Sequence, residues 1–104
     1  MGKRRSGRPR HDVSEARRTL TVVNQRGLHA RASAKFVTAV AELPPGVSVR
    51  VAKGANEAAG GSILGLMMLG AAKGDTIEVI VAGDGHEAVL EQLSAMVEDG
   101  FGET

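Results

Sequence analysis

The sequence predicts an α+β domain, a four-stranded antiparallel sheet carrying three helices on one face in the order β-α-β-β-α-β-α. Three observations predict it. Short stretches alternate apolar and polar residues, as half-buried strands do. Stretches with the apolar spacing of a helix lie between them. Glycine and proline clusters punctuate the joins.

The elements follow in order. Residues 19–23 alternate, with Leu20 and Val22 on one face, and read as a strand. Residues 24–27, closed by Gly27, carry a turn signal. From Ala30 to about Leu43, Ala30, Ala34, Val37, Val40 and Ala41 follow helical spacing, and Pro44-Pro45-Gly46 stops the helix. Val47, Val49 and Val51 alternate with Ser48 and Arg50, a second strand. A turn at Lys53-Gly54 leads to a short third strand at residues 57–59. Gly60-Gly61-Ser62 opens a short helix over residues 63–69, ended by Gly70. Residues 76–82 form a fourth strand, with Ile77, Val79 and Val81 facing one way. Asp84 is the expected N-cap of the last helix, with Glu87 three residues on as in a capping box. That helix carries Val89, Leu93, Met96 and Val97 on one side and stops at Gly100.

With 104 residues the chain makes one domain, and with two Phe and no Trp or Tyr its core must be aliphatic. The absence of cysteine excludes disulfides, thiolate metal sites and cysteine nucleophiles. No apolar run approaches the roughly 20 residues of a membrane span, and no secretory signal is expected, so the expected location is cytoplasmic. The formal net charge of +1 hides an asymmetry. Residues 1–18 hold seven Lys/Arg and two acids, a net of +5, whereas residues 19–104 have a net of −4. This reads as a disordered basic arm over residues 1–18 and a folded domain over residues 19–104. The arm has no aromatic residue for base stacking, so nucleic-acid binding is not expected. His11 and His86 lack partner patterns and read as solvated. No metal cluster or nucleotide-binding motif is present, and no cofactor is expected.

The stretch Gly27-Leu-His-Ala-Arg31 places an imidazole where a helix opens. The first N–H groups of a helix lack intrahelical acceptors, and that end carries the positive pole of the helix dipole. Together they suit an anion such as phosphate. With His29 as N-cap, Ala30 and Arg31 supply the first free N–H groups, and the Arg31 guanidinium adds a fork able to hold phosphate oxygens. A neutral imidazole at this position is a nucleophile. Attack on a phosphoryl group would leave about two negative charges facing those donors.

"GLHAR" at residues 27–31, with "SILGLMMLG" at residues 62–70, resembles the HPr family, the histidine-containing phosphocarriers of the bacterial phosphoenolpyruvate-dependent phosphotransferase system. The resemblance spans about residues 19–99 and implies an open-faced β-sandwich. It also implies a phosphoryl carrier rather than a turnover enzyme. Its His29 would accept phosphate through Nδ1 from Enzyme I and pass it to a IIA-type acceptor in sugar uptake or its regulation. Arg31 would assist at the phosphate, and Ser62 would be the target of a dedicated serine kinase and phosphorylase. Ile63, Leu64 and Met67 would form the docking face, with Leu66 and Leu69 turned inward. A regulatory paralogue of the nitrogen-type system, acting by binding rather than transport, is the alternative. A monomer is expected. One departure is Ala32, where the family usually has proline, which adds an N–H donor to the first turn.

Overall fold

The computed structural model describes residues 15–103. The elements are β1 (Glu15–Thr21), α1 (Ala30–Ala41), β2 (Ser48–Lys53), β3 (Asn56–Ala59), α2 (Ile63–Met68), β4 (Thr76–Ala82) and α3 (His86–Glu98). A 3-10 turn, Gly100–Gly102, closes the described chain. The sheet runs in the order β1-β4-β2-β3, and every pairing is antiparallel. Helix α3 packs on β1 and β4, and α1 packs beside α2.

Alternation explains the layering. Strand side chains point to opposite faces with period two, so Leu20, Ile77, Val79, Val81, Val49 and Val51 all turn toward the helices and are buried. Against them lie Phe36 of α1, Leu66 of α2, and Leu90, Leu93 and Val97 of α3. The other face carries Arg17, Glu78, Arg50 and Glu57, joined by ion pairs of 3.0–3.3 Å across neighbouring strands. Ile80 is buried on this face, between its register partners Arg17 and Arg50.

Three expectations are corrected. The domain does not begin at Thr19. Strand β1 starts at Glu15, and Glu15 to Arg18 pair with Ala82 to Val79 of β4. These residues lack large apolar side chains because one of their faces is the charged open side of the sheet, and Arg18, on the helix side, reaches Glu91 of α3 at 2.8 Å. Residues 1–14 lie outside the described chain, and the rest of the expected arm with them. The second correction concerns Asp84, which does not cap α3. The N-cap is Gly85, in the left-handed conformation at φ 75°, with no side-chain cap. His86 holds the turn instead, donating its backbone N–H, and presenting Nδ1 at 3.0 Å, to the Gly83 carbonyl. It is therefore a structural residue and not a solvated one, the third correction.

Candidate functional site

The loop between β1 and α1 is tied to the body of the protein at Gly27. Leu28 donates its N–H to the Ala71 carbonyl at 3.0 Å. Gly27 has φ 61°, and a Cβ there would stand 2.2 Å from the same oxygen. Only glycine meets both conditions. This close approach delivers Leu28 to the core and leaves His29 at the surface, half-buried, at the mouth of α1.

His29 is the N-cap of α1, with extended backbone, and its Nδ1 accepts the Arg31 N–H at 3.3 Å. The Arg31 N–H, expected to be free, is directed over a long hydrogen bond at the ring nitrogen itself. The main-chain oxygen of His29 accepts from Ser33 at 2.9 Å, the first regular bond of the helix. On the other side of the ring, Nε2 lies 2.8 Å from Oε2 of Glu103. An N–H can only donate and a carboxylate only accepts, so the partners assign the tautomer: proton on Nε2, lone pair on Nδ1.

Glu103 is held in turn. Asn24, buried beneath the loop, donates Nδ2 to both the Gly27 carbonyl (2.8 Å) and Oε1 of Glu103 (3.1 Å). Burial pushes the Glu103 carboxyl up, but the hydrogen bonds from Asn24 and His29, with the charge of Lys35, outweigh it and hold the group below the usual carboxylate range. Lys35 donates to the Phe101 carbonyl at 2.7 Å.

These groups surround an open cleft of about 430 Å³ lined by Gln25, Arg26, His29, Arg31, Lys35, Gly102 and Glu103. Three cationic side chains face one carboxylate. Among the described residues the guanidinium groups of Arg26 and Arg31 form no ion pair. The cleft is therefore suited to a small anion of high charge. Among the described residues no group of three or more His, Cys, Asp or Glu is placed to hold a metal ion, and no helix is long and apolar enough to cross a membrane.

The other sequence candidates lie on α2. Ser62 is its N-cap and accepts the Gly65 N–H at 3.0 Å. Ile63, Leu64 and Met67 are exposed, and Leu66 and Leu69 are buried. Met68, left out of the docking set by the sequence reading, is the most exposed of the group at 77%. Asn24, Arg26, Lys35 and Glu103 also belong to the site, and no local sequence pattern marks them. The partner of His29 is 74 residues away in the chain, beyond any local pattern. The one available signal was Gly100-Phe-Gly-Glu103, an aromatic flanked by glycines just past a helix.

The chain is similar to known proteins in sequence and in fold. The model of the family described as "PTS HPr component phosphorylation site" matches residues 16–99. The phosphocarrier protein HPr of Neisseria meningitidis is 37% identical over 87 residues, covering 84% of this chain and 96% of its own. The phosphocarrier protein NPr of Shewanella violacea is 32% identical over 91 residues, covering 88% and 98%. The crystal structure of HPr from Thermoanaerobacter tengcongensis superposes with a TM-score of 0.79 at 30% identity, over 86% of this chain and 98% of that one.

Proposed function

The chain belongs to the HPr family of phosphotransferase-system phosphocarriers, and from that premise we propose that it accepts a phosphoryl group on Nδ1 of His29 from Enzyme I and passes it to a IIA-type acceptor. The carrying observation is the state of the ring. Nδ1 holds a lone pair that accepts only one long hydrogen bond, and His29 lines a cationic cleft. The N–P bond forms with that lone pair, and the donor's bond to phosphorus breaks, its electron pair leaving with the donor. The oxygens then stand where the Arg31 N–H, the Arg31 guanidinium and the N–H groups of the first turn can receive them. Ala30, exposed at N1, supplies one such N–H.

The exposed side chains of α2 fit the partner surface: Ile63, Leu64, Met67 and also Met68 form an apolar patch on the helix beside α1. A phosphate on Ser62, added by a serine kinase, would set about two charges at its edge. A second reading draws on the NPr relative, as similar in coverage as the HPr relatives. In it the same carrier works in a nitrogen-type branch and its output is regulatory binding.

The test is incubation with phosphoenolpyruvate and purified Enzyme I, followed by intact mass. The protein should gain one phosphoryl group, acid-labile and alkali-stable, and His29→Ala should gain none while keeping its fold. Labelling that persists in the variant would sink the assignment. Running the sugar-type and nitrogen-type forms of Enzyme I side by side separates the two branches by initial rate.

A further inference from the structure

Capping α1 uses one edge of the His29 ring; the other edge is occupied by a residue from the far end of the chain. Oε2 of Glu103 lies 2.8 Å from Nε2, and its Oε1 accepts from Asn24 at 3.1 Å. The carboxylate is thus shared between the imidazole and a buried amide that also holds the Gly27 carbonyl. The segment that brings it there is anchored. Phe101 is buried although its φ is 58°, a left-handed conformation that bulky residues avoid. Lys35 of α1 grips its carbonyl at 2.7 Å. A local strain of this kind persists only where surrounding contacts enforce it. The enforced product is a carboxylate aimed at a ring nitrogen.

We propose that Glu103 is a positioning residue for phosphoryl acceptance at His29: it holds the proton on Nε2, presents the lone pair on Nδ1, and lies against the positive charge that the ring acquires. The inference rests on the reading of His29 as the acceptor. As the Nδ1 lone pair enters the new N–P bond, the proton stays on Nε2 and the ring becomes imidazolium-like. The donor departs with the electron pair of its broken bond to phosphorus. A carboxylate hydrogen-bonded to Nε2–H stabilises that cation more than it stabilises the neutral ring, which is the differential needed to assist a transfer. Arg26, Arg31 and Lys35 offset the repulsion between Glu103 and the incoming phosphoryl oxygens.

The contact is tested without any donor. In the unphosphorylated full chain labelled with 15N, near neutral pH, the His29 ring should show a slowly exchanging downfield proton coupled to Nε2 and an unprotonated Nδ1. Glu103→Ala should lose the slow exchange. Glu103→Gln, whose amide oxygen still accepts, should retain it. Backbone amide spectra of both variants report whether the fold is kept. With Enzyme I as donor, initial labelling rates should fall about tenfold in Glu103→Ala and by less in Glu103→Gln, since a hydrogen bond to a charged group corresponds to about that factor. A ring proton on Nδ1, slow exchange that survives Glu103→Ala, or wild-type rates in both variants would each overturn the proposal. Failure of the wild type itself to label would count against the acceptor role of His29; the ring spectra would still decide the Glu103 contact.

Discussion

His29 is fixed by neighbours of two kinds, and only one kind can be read from the local sequence. Its role as N-cap follows from Gly-Leu-His-Ala-Arg: a turn glycine, an apolar anchor, then the cap. The Nε2 contact depends on how the last turn folds back, and no spacing rule relates positions 29 and 103. Gly27 carries the local part. Its positive φ and the Ala71 carbonyl 2.2 Å from a would-be Cβ make Gly27→Ala doubly unfavourable. A left-handed alanine costs about 1–2 kcal/mol, and the backbone clash adds to that. A loss of about 2 kcal/mol lowers the melting temperature of a domain this size by roughly 8–16 °C. Calorimetry checks this, and a change of a degree or two would show that the loop re-forms freely. Glu103 carries the distant part, with a pH signature. Its folded-state pKa is below its ordinary value, so its contribution is fully present above the ordinary carboxylate range and is lost as pH falls through the depressed value. Between about pH 5 and pH 3, where carboxylates titrate, the wild type should lose more melting temperature than Glu103→Gln. Parallel curves would mean that the carboxylate adds nothing to the fold.

Strands were legible wherever one face is buried. Val47, Val49 and Val51, and Ile77, Val79 and Val81, alternate because the open face of the sheet tolerates polar and charged groups. The start of α3 was misread because Asp84 and Glu87 imitate a capping box. The chain turns there on Gly83 and Gly85, both with positive φ, and that geometry leaves the aspartate without an N–H to accept. Helix α2 was read correctly because its signals agree: Ser62 caps it, Leu66 and Leu69 face in, and the remaining large residues have nowhere else to go but out. The cap also makes a prediction specific to this helix. Ser62→Ala loses the bond from Gly65 and should destabilise by about 1 kcal/mol. Ser62→Asp keeps an acceptor and suits the helix dipole, so its stability should stay near wild type. Its charge stands beside Ile63, Leu64 and Met67, where the proposed docking would exclude water, and an unpaired desolvated charge is costly. Labelling by Enzyme I should therefore be near wild type for Ser62→Ala and much slower for Ser62→Asp. Equal initial rates for all three proteins would reduce Ser62 to a helix cap.

Charge counting along the chain placed the edge of the domain inside a strand. Lys and Arg dominate residues 1–18, but Arg17 and Arg18 belong to the folded body and pair with Glu78 and Glu91. An edge strand is where such residues belong: charge there blunts pairing with other chains, and only one of its faces must be apolar. Composition alone cannot separate that from an unstructured extension, because both are polar and charged. The distinction is energetic and can be measured by comparing a chain that starts at residue 15 with one that starts at residue 19. The shorter one loses the register pairs from Glu15↔Ala82 to Arg18↔Val79, together with the Arg18–Glu91 tie between β1 and α3 and the Glu15–Arg50 contact across the open face. The ion pairs are exposed and contribute at most about 1 kcal/mol each. The larger loss is the ladder, which leaves the β4 backbone from Val79 to Ala82 without a partner on that side. The site is attached at the opposite end of β1, through Asn24 and Gly27, so the shorter chain should still accept phosphate at low temperature. Its melting temperature should fall by roughly 8 °C or more, equivalent to about 2 kcal/mol. Equal melting temperatures for the two chains would show that residues 15–18 rest on the sheet without stabilising it.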